Sequence, residues 1–124
     1  MTWTADELDR IDSQDELEIA ARRRDGSLRD PVIIWVVRGD DELYVRSVNG
    51  PDAAWYRATR ARHEGHVSAG GVEKDVAFED ASGRLDDRLD AAYRAKYRRY
   101  SENTLRAITS PRARSTTLRL VPHA

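Results

Sequence analysis

The chain has 124 residues, with 21 lysine and arginine residues against 22 aspartate and glutamate residues, and its formal net charge at pH 7 is −1. It contains no cysteine, which excludes disulfide scaffolds, thiol nucleophiles and thiolate zinc sites. Charges of both signs are interleaved throughout, so the chain has neither the one-sided basic excess of nucleic-acid-binding proteins nor an apolar stretch that could cross a membrane. Met1 to Ile11 is acidic, without the apolar stretch of a secretory signal. We therefore expect residues 1–124 to form a single cytoplasmic domain that binds neither nucleic acid nor membranes.

The first third of the chain predicts a short helix followed by three strands. Thr4 to Glu7 has the form of a capping box, so a helix should begin there. Leu17 to Ala21 carries apolar residues at alternate positions, which is typical of a half-buried strand. Val32 to Val37 is a continuous apolar run and predicts a central strand buried on both faces. A further alternating strand over Leu43 to Val48 would complete an antiparallel meander.

The middle of the chain predicts a helix and then a hairpin. Asp52 is the expected N-cap of a helix over Ala53 to His63, and Gly65 is its expected C-terminal cap residue. Val67 to Phe78 should form two strands joined by the tight turn Gly70-Gly71.

The last third of the chain predicts one long helix and a final strand. The helix should run from Arg84 to about Tyr100, because acidic residues lie near its start and basic residues near its end. The strand should cover Thr116 to Val121. About six strands and about three helices, without a repeating strand–helix–strand order, indicate an α+β fold with a small antiparallel barrel or strongly curved sheet.

Several common kinds of site have no motif in this sequence. No strand is followed by a glycine-rich phosphate-binding loop, and no serine lies in a nucleophile elbow. His63 and His66 are three residues apart but lack a carboxylate and a second histidine at a ligand spacing. We therefore expect no metal, and hydrolytic chemistry is disfavoured.

The loop from Arg22 to Pro31 is the first candidate site. It combines several arginines with small residues that would let backbone amides approach a ligand, and arginine suits bidentate contacts with phosphate or carboxylate. The alternative is a solvated turn whose arginines pair with Asp25 and Asp30.

The turn from Arg46 to Asp52 and the helix after it form the second candidate site. A polar turn that enters a helix N-terminus can bind an anion, and Arg57 and Arg60 share one face of that helix. Asp52 would repel a phosphate at that position, and a tryptophan such as Trp55 is more often a core residue than a stacking platform.

The third candidate site is a stripe on the long helix that carries Tyr93, Lys96 and Tyr97. A phenol and an ammonium group that line a cleft could donate protons to a substrate oxygen. Alternatively, the tyrosine rings pack in the core.

Five segments resemble known families. Arg24 to Val32 resembles the first half of the deazaflavin-dependent nitroreductases, in which an arginine-rich loop precedes the buried strand. Ser47 to Tyr56 is similar to their polar turn before an Ala-Trp-Tyr helix, and His66 to Val72 is similar to the hairpin that follows it. From nearly its full length, the chain is identified as a member of an uncharacterised bacterial family, domain of unknown function 2255, whose motifs match Ala91 to Tyr97 and Thr116 to Leu120.

The resemblance implies a split β-barrel of the pyridoxamine-phosphate-oxidase type. Such proteins are usually homodimers that hold FMN or a deazaflavin coenzyme in a cleft at the subunit interface, and the cofactor carries the hydride chemistry. The residues that would face the cofactor's phosphate or ring edge are Arg24, Ser27 and Arg29. Those that would hold its tail, or support the turn that does so, are Ser47, Asn49, Gly50 and Trp55.

The chain departs from the nitroreductases at one important position. Their turn usually carries a lysine where this chain has Asn49, and Arg46, Arg57 or Arg60 would have to supply the missing charge.

These features leave three functions open. The first is a flavin- or deazaflavin-dependent oxidoreductase acting on a small organic substrate, with Tyr93, Lys96 or Tyr97 as proton donors or orienting groups. The second is a cofactor-free dimer that binds a small anionic metabolite through the arginine loop. The third is a non-redox enzyme with Tyr93 and Lys96 as acid and base.

Overall fold

The structure is a computed structural model that describes residues 2–123. Its strands are β1 (Leu17–Ala21), β2 (Val32–Ile34), β3 (Val37–Gly39), β4 (Glu42–Val45), β5 (Glu64–Ala69), β6 (Val72–Asp80) and β7 (Leu118–Pro122). Its α-helices are α1 (Ala5–Asp12), α2 (Ala54–Ala61), α3 (Asp86–Lys96), α4 (Glu102–Ile108) and α5 (Pro111–Arg114). A short 3-10 turn, Gly50–Asp52, precedes α2. Over the residues described, no helix has the length and apolar character needed to cross a lipid bilayer.

The strands form one antiparallel sheet in the order β2-β1-β5-β6-β7-β4-β3. Strands β2 and β3 are consecutive in the chain but lie at opposite edges of this sheet. Only Trp35 and Val36 separate them, so the sheet must curl until its two edges are close together. The predicted α+β split barrel is therefore confirmed, as a curled half-barrel with seven strands and five α-helices.

The prediction of one central strand over residues 32–37 is wrong. This segment forms the two edge strands and the crossing between them, and Val32 and Ile33 in β2 are 38% and 58% exposed. The predicted meander is wrong as well, because β1–β2 and β3–β4 are two hairpins at opposite edges. A short apolar run indicates burial or interface formation but does not say where in a sheet it lies.

Two predicted caps around α2 are also wrong. Asp52 lies in the 3-10 turn, where its carboxylate is 3.1 Å from Nη2 of Arg112, and Ala53 is the N-cap residue without a side-chain hydrogen bond. Gly65 belongs to β5 instead of ending the helix. A Cβ atom at Gly65 would lie 2.1 Å from the carbonyl oxygen of Ala20, so the close approach of two strands requires glycine there.

The predicted long helix over residues 84–100 is shorter, and two helices follow it that the sequence analysis missed. Helix α3 ends at Lys96, and α4 and α5 occupy the segment before β7. Ser101 and Ser110 cap these helices by accepting hydrogen bonds from the amides of Thr104 and Ala113. The predicted capping box at Thr4 is confirmed.

The core has two parts. One fills the half-barrel and includes Leu17, Ile19, Leu43, Val67 and Phe78. The other lies between β3, β4 and the helices α3 and α4, and includes Leu89, Tyr93, Tyr97, Leu105 and Ile108. The helices therefore cover one outer face of the sheet beside edge strand β3.

Candidate functional site

A cleft of about 350 Å³ lies between edge strand β2, the turn after β4, and helices α2 and α4. Pockets that bind small ligands usually have volumes of about 300–1,000 Å³. Its wall is mostly apolar and consists of Val32, Ile33, Ile34, Trp35, Val48, Trp55 and Ile108. Its polar positions are Arg46, Ser47, Asn49 and Thr104. We call it the apolar cleft.

A second cleft of about 260 Å³ adjoins the first and shares Val32 and Trp55 with it. Its charged residues are Arg23, Arg29 and Asp30, and it is completed by Ile19, Ala21, Ala54, Ala58 and Thr59. We call it the arginine cleft. In the described part of the chain, neither Arg23 nor Arg29 has a carboxylate partner within 4.0 Å.

The β1–β2 loop is held in shape by its own polar groups. Nη1 of Arg22 donates to the carbonyl of Gly26 at 2.8 Å, and Nη2 lies 2.8 Å from a carboxylate oxygen of Asp75. The carboxylate of Asp25 accepts hydrogen bonds from the hydroxyl and amide of Ser27, and these hold the pKa of Asp25 below its ordinary value. Internal hydrogen bonds therefore fix the conformation of the loop. Over residues 2–123, no arginine forms an ion pair with Asp25 or Asp30.

Of the three loop residues predicted to contact a cofactor, Arg24, Ser27 and Arg29, only Arg29 lines a cleft. Arg29 lines the arginine cleft, whereas the side chain of Arg24 is exposed outside it. The hydroxyl of Ser27 is 2.7 Å from Asp25 and is committed to that bond. Arg62 donates to the backbone carbonyl of Arg24 at 2.8 Å, which fastens the loop to the end of α2.

The turn after β4 supplies a buried polar group that has no partner. The amide of Ser47 donates to the hydroxyl of Thr116 at 2.8 Å, but Oγ of Ser47 is buried without a hydrogen bond although the residue lines the apolar cleft. Gly50 closes the turn by donating to the carbonyl of Ser47 at 3.0 Å, with a positive φ of 78° that favours glycine. Asn49 is exposed at the mouth of the same cleft. Buried hydroxyls are normally hydrogen-bonded, so the unpartnered Oγ of Ser47 beside the apolar cleft is an exception to that rule.

The guanidinium of Arg46 is committed to the protein interior. Its side chain is fully buried, with Nη1 2.5 Å from Asp90, Nε 3.0 Å from the hydroxyl of Thr117, and Nη1 3.3 Å from the carbonyl of Ile108. It also lies over the ring of Tyr93, 5.4 Å from the centroid. Arg46 therefore lines the cleft without offering it a free positive charge.

Asp90 accepts from two arginines. Burial raises the pKa of this carboxyl, but hydrogen bonds from Arg114 and Arg46 outweigh burial and hold its pKa below the ordinary value. Asp90 thereby connects the residue after β4 to α3 and α5 through one partly buried carboxylate.

The three candidates on α2 differ in position. Trp55 is half-buried and separates the two clefts. Arg57 is exposed and lines neither cleft, and Nη1 of Arg60 donates to the hydroxyl of Tyr56 at 3.2 Å. Because Ala53 provides no side-chain cap, the first amides of α2 also lack a side-chain acceptor beside Trp55.

The tyrosines proposed as proton donors lie outside both clefts. Tyr93 is fully buried, its hydroxyl has no hydrogen-bond partner, and burial raises its pKa. The hydroxyl of Tyr97 lies 2.6 Å from the carbonyl of Asp15 and 3.1 Å from the amide of Val36, and burial raises its pKa as well. Both rings occupy the core, which is the packing alternative of the sequence analysis.

Lys96 also lies outside the two clefts. Its Nζ donates to the carbonyl of Val36 at 2.8 Å and lies 3.6 Å from a carboxylate oxygen of Asp12. Burial lowers its pKa, although Asp12 opposes that effect. Lys96 and Tyr97 therefore both hold the backbone where the chain crosses between β2 and β3.

Much of the lining of the apolar cleft was not among the predicted site residues, including Trp35, Thr104 and Ile108. Trp35 was assigned to the interior of a strand, and Thr104 and Ile108 belong to the unpredicted helix α4. The serine at position 101 was a usable signal, because it precedes a helix-forming segment as an N-cap.

Comparison with known proteins connects this geometry to a family. A family model described as an uncharacterized protein conserved in bacteria (DUF2255) matches residues 7–120. The chain belongs to this family. No curated protein matches this DUF2255 member.

Solved structures share the fold of this DUF2255 member at low sequence identity. Conserved hypothetical protein Rv2991 from Mycobacterium tuberculosis has a TM-score of 0.66 and 14% identity, over 100% of this chain and 82% of that one. An F420-H2 dependent reductase has a TM-score of 0.63 and 15% identity, over 87% and 94%. A FAD-binding protein from Mesorhizobium loti has a TM-score of 0.53 and 18% identity, over 100% and 93%. At these identities the likeness shows the fold, which this chain therefore shares with reductases and flavin-binding proteins.

Proposed function

We propose that this protein is a flavin- or deazaflavin-dependent oxidoreductase that reduces a small organic substrate. The observation that carries the proposal is the pair of adjoining clefts, one with a mostly apolar wall beside the unpartnered hydroxyl of Ser47 and one that contains Arg29 without a carboxylate partner among the residues described. A mostly apolar cleft with a few polar groups suits a planar ring, and a guanidinium without a carboxylate partner suits a phosphate. The fold, which reductases of known structure share, supports the same proposal.

The residues fit a deazaflavin coenzyme or FMN in one orientation. The ring would lie in the apolar cleft, where Ser47 can hydrogen-bond one of its heteroatoms, and the phosphate would lie near Arg29 in the arginine cleft. This orientation is opposite to the one that the family resemblance implies for Ser47. We prefer it because the charge of Arg46 beside Ser47 is already neutralised by Asp90.

The protein's own contribution is to bind, orient and exclude water. When bound, the cofactor would supply the hydride. Trp35, Trp55 and the aliphatic residues of the apolar cleft remove the ring from water, which strengthens the hydrogen bond that Ser47 can make. Tyr93, Lys96 and Tyr97 have no place in this proposal as proton donors, because they lie outside the clefts.

We further propose that the protein acts as a homodimer in the cytoplasm. Leu28, Val32, Ile33 and Val48 are large apolar residues that are 38–58% exposed around edge strand β2 and the mouths of the clefts. An uncovered apolar edge strand is unfavourable in a monomer, and a second copy would cover it. The cytoplasmic location follows from the sequence composition alone and stays a prediction.

The unpaired charges of the arginine cleft support a second candidate. A cofactor-free dimer could bind a small anionic metabolite through Arg23 and Arg29, which lack carboxylate partners in the described part of the chain. A non-redox enzyme that uses Tyr93 and Lys96 has less support, because neither side chain reaches the two clefts.

The test is the visible absorbance spectrum of the purified protein, followed by titration with FMN, FAD and the deazaflavin coenzyme. A bound chromophore, or saturable binding of one of the three, is the expected result and identifies the cofactor. Failure to bind any of them, while small organic phosphates still bind and are displaced by salt, would favour the anion-binding dimer.

A further inference from the structure

We propose that Trp35 is the residue that determines what the apolar cleft binds, and that it selects a planar, uncharged aromatic ring. This inference deepens the proposed function, because it names the class of ring and its main contact. Its test measures binding alone and does not require a redox reaction.

The indole of Trp35 is held rigidly at the wall of the cleft. Its ring is parallel to that of Tyr97, with centroids 3.9 Å apart and an interplanar angle of 3°. Tyr100 packs edge-on against it at 4.8 Å and 61°. The backbone beside it is fixed as well, since Lys96 donates to the carbonyl of Val36 at 2.8 Å. The protein thus covers one face of the indole, while Trp35 also lines the apolar cleft.

A fixed aromatic wall favours ligands that can stack on it. A side chain whose rotamer is already set loses little conformational entropy when a ring packs against it. Offset or parallel stacking adds to the free energy gained from removing apolar surface from water. A saturated ring of the same size would gain the burial but not the stacking.

The charges around the cleft favour an uncharged ring. Arg46 is the charged residue among those that line it, and its guanidinium is turned to Asp90, Thr117 and Ile108. A charged ring would lose its hydration without meeting a counter-ion, which is costly. An uncharged ring avoids this cost.

Two sources could supply such a ring, namely the flavin-type cofactor and an aromatic substrate. Binding constants should therefore be measured with four probes: riboflavin, 2-naphthol, naphthalene-2-sulfonate and decahydro-2-naphthol. Riboflavin represents the cofactor ring without its phosphate, and 2-naphthol represents an aromatic substrate. The sulfonate adds a negative charge to the same aromatic skeleton, and the saturated alcohol removes its planarity.

We expect riboflavin or 2-naphthol, or both, to bind the wild-type protein. Where 2-naphthol binds, the sulfonate and the saturated alcohol should bind at least about tenfold more weakly than it does. Trp35→Leu should weaken ring binding by about tenfold, whereas Trp35→Phe should stay within about threefold of wild type. Trp3→Phe is the matched control, because Trp3 is buried elsewhere with its Nε1 donating to Leu120. Each variant should show a wild-type circular dichroism spectrum.

The source of the ring follows from which probe binds. Binding of riboflavin alone assigns Trp35 to the cofactor ring, and binding of 2-naphthol assigns it to a substrate ring. Trp35-dependent binding of 2-naphthol, together with failure of every flavin to bind, would support the inference and contradict the proposed redox function. The inference is overturned if neither planar probe binds, if Trp35→Leu binds as tightly as Trp35→Phe, or if the sulfonate binds as tightly as 2-naphthol. The comparison of probes on the wild-type protein tests the inference even if Trp35→Leu does not fold.

Discussion

Arg29 and Arg46 were both expected to meet the same cofactor, yet their surroundings are opposite. Arg46 is fully buried, and Asp90, Thr117 and a backbone carbonyl occupy its donors. Arg29 is exposed at the arginine cleft, with no carboxylate within 4.0 Å among the residues described. The contrast shows that a cation is free to recognise a ligand only where the fold leaves its charge unmatched.

The same contrast separates the hydroxyl groups of the molecule. Tyr97 is bonded to backbone groups on both sides, whereas the hydroxyls of Ser47 and Tyr93 are buried without partners. Of these two, only Ser47 lines a cleft. Substitution of a paired group should therefore lower the free energy of unfolding. Substitution of an unpaired group in a residue that lines a cleft should instead lower ligand affinity.

The largest expected effect on stability comes from removing the carboxylate that pairs with Arg46. Asp90→Ala would leave the buried guanidinium of Arg46 without its main counter-ion, and we expect the free energy of unfolding to fall by about 3–5 kcal/mol. Chemical denaturation monitored by circular dichroism would measure this. Asp87→Ala on the same helix is the control, because the Asp87 carboxylate is fully exposed and its removal should change little. Equal effects of the two substitutions would contradict the structural role of Asp90.

The charge on Asp90 also predicts a pH dependence. Its pKa is lower in the folded protein than in the unfolded chain, so its contribution to stability is present above its unfolded-state value of about 3.9. That contribution is lost as the pH falls through the lower, folded-state pKa. The stability difference between wild type and Asp90→Asn should therefore shrink as the pH is lowered below about 4. A difference that stays constant in acid would show that the carboxylate charge is not involved.

Arg29 has no carboxylate partner among the residues described, so Arg29→Ala should lower ligand affinity without lowering stability. If FMN binds as proposed, the substitution should weaken its affinity by about tenfold, because a charged hydrogen bond to the phosphate is lost. Riboflavin, which lacks the phosphate, should bind as before. Arg57→Ala is the matched control on α2, since Arg57 lines neither cleft. Equal weakening of FMN and riboflavin would argue that the phosphate does not lie in the arginine cleft.

Much of the fold could be predicted from local patterns, and the exceptions have physical causes. The Thr4 capping box and the Gly70-Gly71 hairpin depend on neighbouring residues, and both are present. The run over residues 32–37 looked like one buried strand because hydrophobicity does not distinguish a central strand from a crossing between two edges. The environment of Arg46 was beyond local reasoning, because Asp90 and Thr117 are 44 and 71 residues away in sequence.

A substitution at Ser47 should lower ligand affinity without lowering stability. Ser47→Ala removes a buried hydroxyl that has no partner, so the free energy of unfolding should stay unchanged or rise by about 1 kcal/mol. If the hydroxyl bonds the ring, riboflavin affinity should fall by about three- to tenfold. Thermal denaturation and riboflavin titration on the same preparation would measure both. A loss of stability together with unchanged affinity would place Ser47 on the structural side of the comparison.

The two buried tyrosines provide the smallest and closest comparison. Tyr97→Phe removes hydrogen bonds to Asp15 and Val36 and should cost about 1 kcal/mol of stability. Tyr93→Phe removes a hydroxyl that has no partner, so we expect the free energy of unfolding to stay unchanged or to rise. Because both rings lie outside the clefts, neither substitution should abolish a reductase activity once one has been found. A large loss of activity in Tyr93→Phe, with stability unchanged, would instead restore the prediction that this phenol donates a proton.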